Sequence, residues 1–298
     1  MAWCASSPHH VTSIFVPVYT SSYLSTGSLG VGIAVEPRFE TCVPGDKPLT
    51  TSTMRRTASI LRVEEHPSII RAPLPPAKGY AVSAASAVTY ALATAPMNGL
   101  SYMDALRAAH RAEIEERTGL GDVLSVSCGI GVVIRYQPGA PGIGRTDCIS
   151  FPSSIELLVV ELGESMHTRE LLRQRYIEYG RDLALNSILR IRDDKTVESF
   201  IEESQRFTEQ MKLLATTGID KEFLSRLPGL IGYYVKKKLL VLFIEADQFL
   251  DARDILLAER YHVRRLMPSE HGPRVWWSDG YPQVSSEISL ADDKGKDS

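Results

Sequence analysis

The sequence has few of the features that would commit it to a specialised class. No apolar run approaches the roughly 18 consecutive residues of a transmembrane helix, so no membrane partner is expected. Charge of either sign is nearly balanced: 33 Lys and Arg against 36 Asp and Glu leave a formal net charge of -3. That is too little to suggest nucleic acid or a membrane surface as a partner. Only four cysteines occur, Cys4, Cys42, Cys128 and Cys148, and none forms a CxxC pair. They read as reduced thiols of a cytoplasmic protein rather than a disulfide frame or a zinc site. The opening MAWCASSPHH has neither a basic n-region nor an apolar h-region, so no secretory signal is expected there. Internal repeats are lacking, and no GK[ST] closes a Walker-type loop. What is present is ordinary globular material. The chain has 298 residues, 44% apolar and 23% charged, enough for one large or two ordinary domains.

The stretch Ser101–Val123 (SYMDALRAAHRAEIEERTGLGDV) is the most informative. Ser101 followed by Asp104 fits a capping box, which starts an amphipathic helix there. Ala105, Ala108, Ala109 and Ala112 form a small-residue flank that admits a neighbouring element. Gly119 is placed to end the helix in a left-handed conformation, and the turn delivers Asp122. His110 and Glu113, three apart, share a face leading towards Asp122. An imidazole and two carboxylates beside a glycine turn suit catalysis; a solvated mixed-charge face would look the same.

Ala72–Ala95 (APLPPAKGYAVSAASAVTYALATA) sends a small-residue loop into a helix. Small side chains expose backbone amides, and a helix N-terminus adds positive potential, so the stretch suits a phosphate. Tight helix packing would use the same residues. Between Tyr19 and Gly32, Thr26, Gly27, Ser28, Gly30 and Gly32 make either a ligand-approaching loop or a hairpin turn. Val11–Val18 reads as a buried strand, Arg38–Arg71 as continued antiparallel sheet, and Val123–Arg135 as a strand or strand pair. PGAPGIG at Pro138–Gly144 marks a loop near an inter-domain boundary. Beyond it, Leu157–Leu162 reads as a buried strand. Helical patterns run from Thr168 to about Arg190 and from Lys195 to about Leu214. A strand–turn–strand follows over Ile231–Glu245 with Lys236, Lys237 and Lys238 at its turn, read as a solvated tip or a phosphate site. A helix over Phe249–Arg260 and a strand over Arg274–Trp277 complete a second α+β unit.

Four motifs together carry a family resemblance: PHHVTSIFVPVYTSSYLSTGSLGVG at Pro8–Gly32, GYAVSAASAV at Gly79–Val88, AHRAEIEERTGLGDV at Ala109–Val123 and VVIRYQPGAPGIG at Val132–Gly144. The sequence resembles the GHMP kinases, and among them the archaeal pantoate kinases. The resemblance implies an α+β, two-domain GHMP-kinase fold. Residues 1–152 would form a ribosomal-S5-domain-2-like unit and residues 153–277 a ferredoxin-like unit, with a polar tail over 278–298. It implies ATP-dependent phosphorylation of pantoate in archaeal coenzyme A biosynthesis, with ATP and Mg²⁺ as cofactors, in a cytoplasmic homodimer without nucleic-acid or membrane partners.

Position by position, the resemblance puts the ATP phosphate loop at Gly79, Tyr80, Ala81, Val82, Ser83, Ala84, Ala85 and Ser86. Ser83 and Glu113 would hold the metal, and Asp122 would be the general base. His110, Arg135 and Thr168, with Thr26, Gly27 and Ser28, would line the acceptor pocket. The loop departs from the family pattern in Ala81, Ala84 and Ser86, where glycine is usual; alanine is strained wherever φ is positive. Two alternatives remain: a kinase of the same superfamily acting on mevalonate or another hydroxy acid, and a non-catalytic ligand-binding member.

Overall fold

The computed structural model describes residues 1–163 and 180–279. Thr168, most of the helix expected from it and the tail from 280 onward lie outside the described residues. Strands β1 (Ala2–Val18) and β2 (Gly27–Lys47) form a long antiparallel hairpin. Helix α1 (Ser52–Leu61), strand β3 (Ser68–Arg71) and helices α2 (Val82–Thr94), α3 (Tyr102–Glu115) and α4 (Asp122–Cys128) follow, then strands β4 (Val132–Gln137), β5 (Arg145–Ile149) and β6 (Ile155–Glu161). After residue 179 come α5 (Arg181–Asp194), α6 (Val197–Gln210), α7 (Lys221–Ser225), β7 (Leu230–Lys236), β8 (Leu239–Glu245), α8 (Phe249–Ala258), β9 (His262–Pro268) and β10 (Arg274–Ser278). The strands join in the order β10-β1-β2-β9-β6-β8-β7, with β3 and β4 also on β2 and β5 on β4. The result is an α+β architecture in which β2 is the shared spine.

The apolar pattern explains the layers. In β8, Leu239, Val241 and Phe243 point into one core while Leu240, Leu242 and Ile244 point into another. β6 divides its residues the same way, as the period of two requires for strands covered on both faces. α5 and α6 cover the first face through Ile188, Ile191 and Phe200, and α7 and α8 cover the second through Phe223, Phe249 and Leu256. Against β1 and β2 a third core gathers Met54, Val88, Leu92, Leu106 and Val123 from the four N-terminal helices. α2 is buried around almost its whole circumference, and its alanines let α1, α3 and β1 approach it. Halves of the chain far apart in sequence meet where Tyr234 of β7 donates to the Val11 carbonyl of β1 at 2.9 Å, beside the rings of Phe200 and Phe243.

Local structure departs from the sequence reading in several places. Gly27–Gly32 is strand, paired with β1 and β4, and the turn lies ahead of it at residues 21–25. Within Arg38–Arg71 stands α1, whose β-branched threonines imitate strand text. Thr51 accepts from the Met54 amide as its N-cap, and Thr53, Met54, Thr57 and Ala58 are its buried face. Asp122–Cys128 is likewise helix, because Val123 and Val126 are packed in the helical core rather than on a sheet. α3 begins at the expected cap, Ser101 accepting from Asp104 N at 3.0 Å, but it is Arg117 (φ 56) rather than Gly119 that turns left-handed at its end. The strand expected to complete the second unit, β10, pairs instead with β1. The cysteines are not free thiols: Cys4 and Cys42 face each other across the β1–β2 ladder and are bonded, as are Cys128 and Cys148. Their distance in sequence hides pairings that strand register and the α4–β5 contact create. Among the described residues no helix is long and apolar enough to cross a membrane.

The Tyr234 bond supplies a stability prediction. Tyr234→Phe leaves the Val11 carbonyl buried without that donor and should lower unfolding free energy by about 1–3 kcal/mol. Urea denaturation followed by circular dichroism would read this as a lower midpoint at constant slope; an unmoved midpoint would show that the bond contributes nothing.

Candidate active site

A cleft of about 810 Å³ lies between the N-terminus of α2, the α3–α4 turn, the β1–β2 hairpin and the β7–β8 turn. That is within the range of small-molecule sites. Its donor-side wall is the loop entering α2. Ala81 sits at φ 54, a left-handed conformation that costs an alanine roughly 1–2 kcal/mol. The loop is held from behind: His9 Nδ1 donates to the Tyr80 carbonyl at 3.1 Å, and the Tyr80 hydroxyl donates to Glu161 at 3.0 Å. No side chain caps α2, and Ala85 is the first residue whose amide closes back onto the loop, at Ala81 O. The amides ahead of it therefore have no partner within the helix, at the end where its dipole is positive.

Ser83, in the first turn of α2, donates to Glu113 Oε1 at 2.6 Å, and Thr118 donates to the same oxygen at 3.0 Å. Glu113 is buried just behind this wall, and its second oxygen, Oε2, has no hydrogen-bond partner. Gly119 covers it so closely that a Cβ there would lie 2.5 Å from Oε2. Burial first, and then the charge of Asp122, push the Glu113 carboxyl up to about 7, against the pull of the Ser83 and Thr118 hydroxyls. A carboxylate with an unpaired oxygen beside a hydroxyl is a hard donor set, which suits Mg²⁺, an ion that keeps several of its own waters.

Asp122 opens α4, where the helix N-terminus favours a carboxylate. Its Oδ1 accepts from Thr12 Oγ1 and from His10 Nδ1, both at 3.1 Å. Burial alone would raise its pKa. The His10 hydrogen bond and the charges of Arg135 and Lys236 prevail and hold it well below the usual carboxylate range. His10 itself is buried and neutral, its pKa lowered to about 4 chiefly by desolvation, so its Nδ1 carries the hydrogen that Asp122 accepts. Arg135 of β4 lines the same end; one nitrogen donates to Ser125 Oγ, and its buried Nε has no partner. Gly121 makes room for it: a Cβ there would collide with Ser28 Oγ and lie 2.7 Å from Arg135 Nε.

The sequence-predicted residues thus separate into groups. Gly79, Tyr80, Ala81, Val82, Ser83, Ser28, Asp122 and Arg135 line one cleft, with Glu113 directly behind Ser83. Ala84, Ala85 and Ser86 belong to α2, are buried in the protein and do not line the cleft. His110 does not reach the cleft. It is buried with Nε2 between the carbonyls of Tyr23 (3.1 Å) and Thr26 (3.0 Å), tying the β1–β2 turn to α3. Thr26 is spent within that turn, where its hydroxyl donates to the Thr20 carbonyl and accepts from the Thr20 amide. Gly27 packs against the backbone of Gly139. Residues the sequence reading passed over include Thr12, Phe15, Thr51, Thr53 and Arg117, while Lys236 and Lys237, read as a solvated tip or a phosphate site, line the cleft. The hydroxyl-rich LTTST ahead of α1 and the lysine triplet were the visible signals.

The fold is that of the GHMP kinases, to whose solved structures and curated sequences the chain is similar. No family model matches the sequence. Its relatives are narrower in kind. It is 29% identical over 247 residues to the pantoate kinase of Thermococcus kodakarensis, covering 74% of this chain and 76% of that protein. It is 27% identical over 233 residues to the pantoate kinase of Methanocaldococcus jannaschii, covering 70% and 80%. A solved phosphotransferase related to the CoA biosynthesis pathway superposes with a TM-score of 0.77 over 94% of this chain and all of that one, at 21% identity. Mevalonate-3-kinase of Thermoplasma acidophilum, with mevalonate 3-phosphate and ADP bound, superposes with a TM-score of 0.63 over 93% and 98%, at 13% identity.

Glu113 makes the site testable without turnover. Its folded pKa lies above its unfolded one, so the metal-free protein loses stability as pH rises from about 4.5 to about 7 and then levels off. Asp122 stays ionised through that window. Glu113→Gln should remove this fall and melt several degrees above wild type at pH 8, read by differential scanning calorimetry in EDTA. Identical pH profiles would show that Glu113 is ionised in the folded protein without cost.

Proposed function

We propose that the chain transfers the γ-phosphoryl group of ATP to the primary hydroxyl of (R)-pantoate, giving 4-phosphopantoate on the route to coenzyme A. The observation that carries this reading is one cleft holding an ionised carboxylate, Asp122, and the Ser83–Glu113 pair beneath an uncapped helix N-terminus. The names of the sequence relatives support pantoate as acceptor.

Phosphoryl transfer needs the attacking oxygen in line and charge neutralised on the phosphates, with little covalent help from the protein. The amides of Val82–Ala84 and the dipole of α2 receive the donor phosphates. Ser83 and Glu113 would hold Mg²⁺, which would supply charge neutralisation on the donor phosphates. Asp122, fixed by Thr12 and His10, accepts a hydrogen bond from the acceptor hydroxyl and takes its proton as the bond to phosphorus forms. Because its pKa is depressed, it is ready as a base at any neutral pH but takes the proton late, once the oxygen has lost electron density. Arg135 directs its unpartnered Nε at the acceptor's carboxylate.

A coupled ADP-release assay with pantoate, mevalonate and homoserine in parallel tests the assignment. ADP release with pantoate alone is the expected result; preference for mevalonate would reassign the acceptor, and silence with all three despite ATP binding would overturn the kinase reading. Asp122→Asn should lower kcat by about 100-fold or more while leaving ATP affinity unchanged.

A further inference from the structure

Among the described residues of the second half of the chain, only Lys236 and Lys237 line the cleft. They stand at the β7–β8 turn, which the fold fixes from two sides. The Lys238 amide donates to the Lys78 carbonyl at 3.2 Å, and the Leu162 amide donates to the Lys238 carbonyl at 2.8 Å. The Lys236 stem packs on the phosphate loop, where a Cβ on Gly79 would lie 3.4 Å from its Cγ. Its Nζ is 4.6 Å from the ring centroid of Phe15 on β1, a cation–π contact that keeps the ammonium over the cleft mouth. A solvated hairpin tip has no such constraints.

The surrounding charges show where the ammonium acts. Lys236 feels Asp122 on α4, Arg135 on β4 and Lys237 on its own turn, and it acts on His10 of β1. Lys237 instead acts on Glu113 of α3. Both lysines line the same cleft as Ser83 and Asp122. Arg135 is committed more deeply, with one nitrogen on Ser125 and its stem beneath Gly121. The cation held at the cleft against both the Gly79 loop and Phe15 is Lys236.

Resting on the kinase reading above, we propose that Lys236 is a catalytic residue whose ammonium contacts the phosphoryl group in flight and neutralises charge spreading over its equatorial oxygens. The acceptor oxygen bonds to the γ-phosphorus while the bond from phosphorus to the β,γ-bridging oxygen breaks. The electron pair leaves with ADP, the hydroxyl proton passes to Asp122, and Lys236 keeps its own proton throughout. Charge developing only at that stage makes Lys236 a determinant of kcat rather than of ground-state binding. Burial, with Lys237 and Arg135, draws the ammonium down to about 8 while Asp122 opposes, so it is charged at neutral pH and discharges in mild alkali.

Steady-state kinetics of the full chain with ATP and pantoate test this, comparing wild type, Lys236→Met and Lys236→Arg. Lys236→Met should lose about 100-fold or more in kcat, with both KM values within about threefold. Lys236→Arg should recover part of the rate and shift the alkaline limb of the kcat profile upward, because a guanidinium stays charged there. A Lys236→Met enzyme with near-normal kcat, or one losing only pantoate KM, overturns the proposal. So does an alkaline limb at the same pH in wild type and Lys236→Arg, the measurement that decides should the methionine variant fail to fold. Wild type inactive on pantoate would instead overturn the kinase reading itself, whereas an active wild type matched by Lys236→Met removes only this role.

Discussion

Two carboxyls, Asp122 at the cleft and Glu113 buried just behind its wall, lie close enough to repel, and that repulsion bears on what surrounds them. Like charges in a low-dielectric site cannot both ionise without compensation. Here the compensation is unequal. Asp122 receives a hydrogen bond from neutral His10, another from Thr12, and the fields of Arg135 and Lys236, so it keeps its charge. Glu113 receives two hydroxyl donors on one oxygen and nothing on the other, so it holds its proton until near neutrality. The asymmetry gives the two carboxyls different protonation states at neutral pH, which the proposed roles of base and metal ligand use.

Much of the framework supports that division. His10 and Thr12 come from β1, Asp122 and Arg135 from α4 and β4, Ser83 from α2 and Glu113 from α3, with β2 pairing both β1 and β4. Glu161 of β6 ties the loop entering α2 to the second half through Tyr80 and a 3.7 Å pair with Lys78. The strained Ala81 persists because the Tyr80 carbonyl is gripped by two adjacent histidines, His10 through its amide and His9 through its ring. Alanine in place of glycine is thus accommodated by neighbours that over-determine the loop.

Where sequence and structure agree, the signal was local. The Ser101 cap, the small-residue loop into α2 and the near-continuous apolar run at Leu157–Leu162 each state their geometry within a few residues. Ser83, Glu113, Asp122 and Arg135 were legible through motif resemblance, though their hydrogen bonds were not. Failures came where tertiary context rules. Threonines and valines in α1 and α4 favour strands on propensity, and only burial against other helices selects helix. His110 shares a helical face with Glu113, yet the face turns under the β1–β2 turn rather than into the cleft. The lysines at 236 and 237 could not be placed without knowing that their hairpin docks on Gly79. The cysteine pairs depend on register and on contacts between separate elements, which spacing does not encode.

The pairing of β10 with β1 has a consequence for how the molecule is made. Residues 2–6 find their outer neighbour at 274–278, near the opposite end of the described chain. During synthesis, residues 2–6 therefore lack this neighbour until residues 274–278 have emerged. The N-terminal helices can pack long before that, since their partners are close in sequence, but the sheet beneath them is finished last. Vectorial synthesis and final architecture run in opposite order at this edge, where pairing the two strands closes a long loop at an entropic cost.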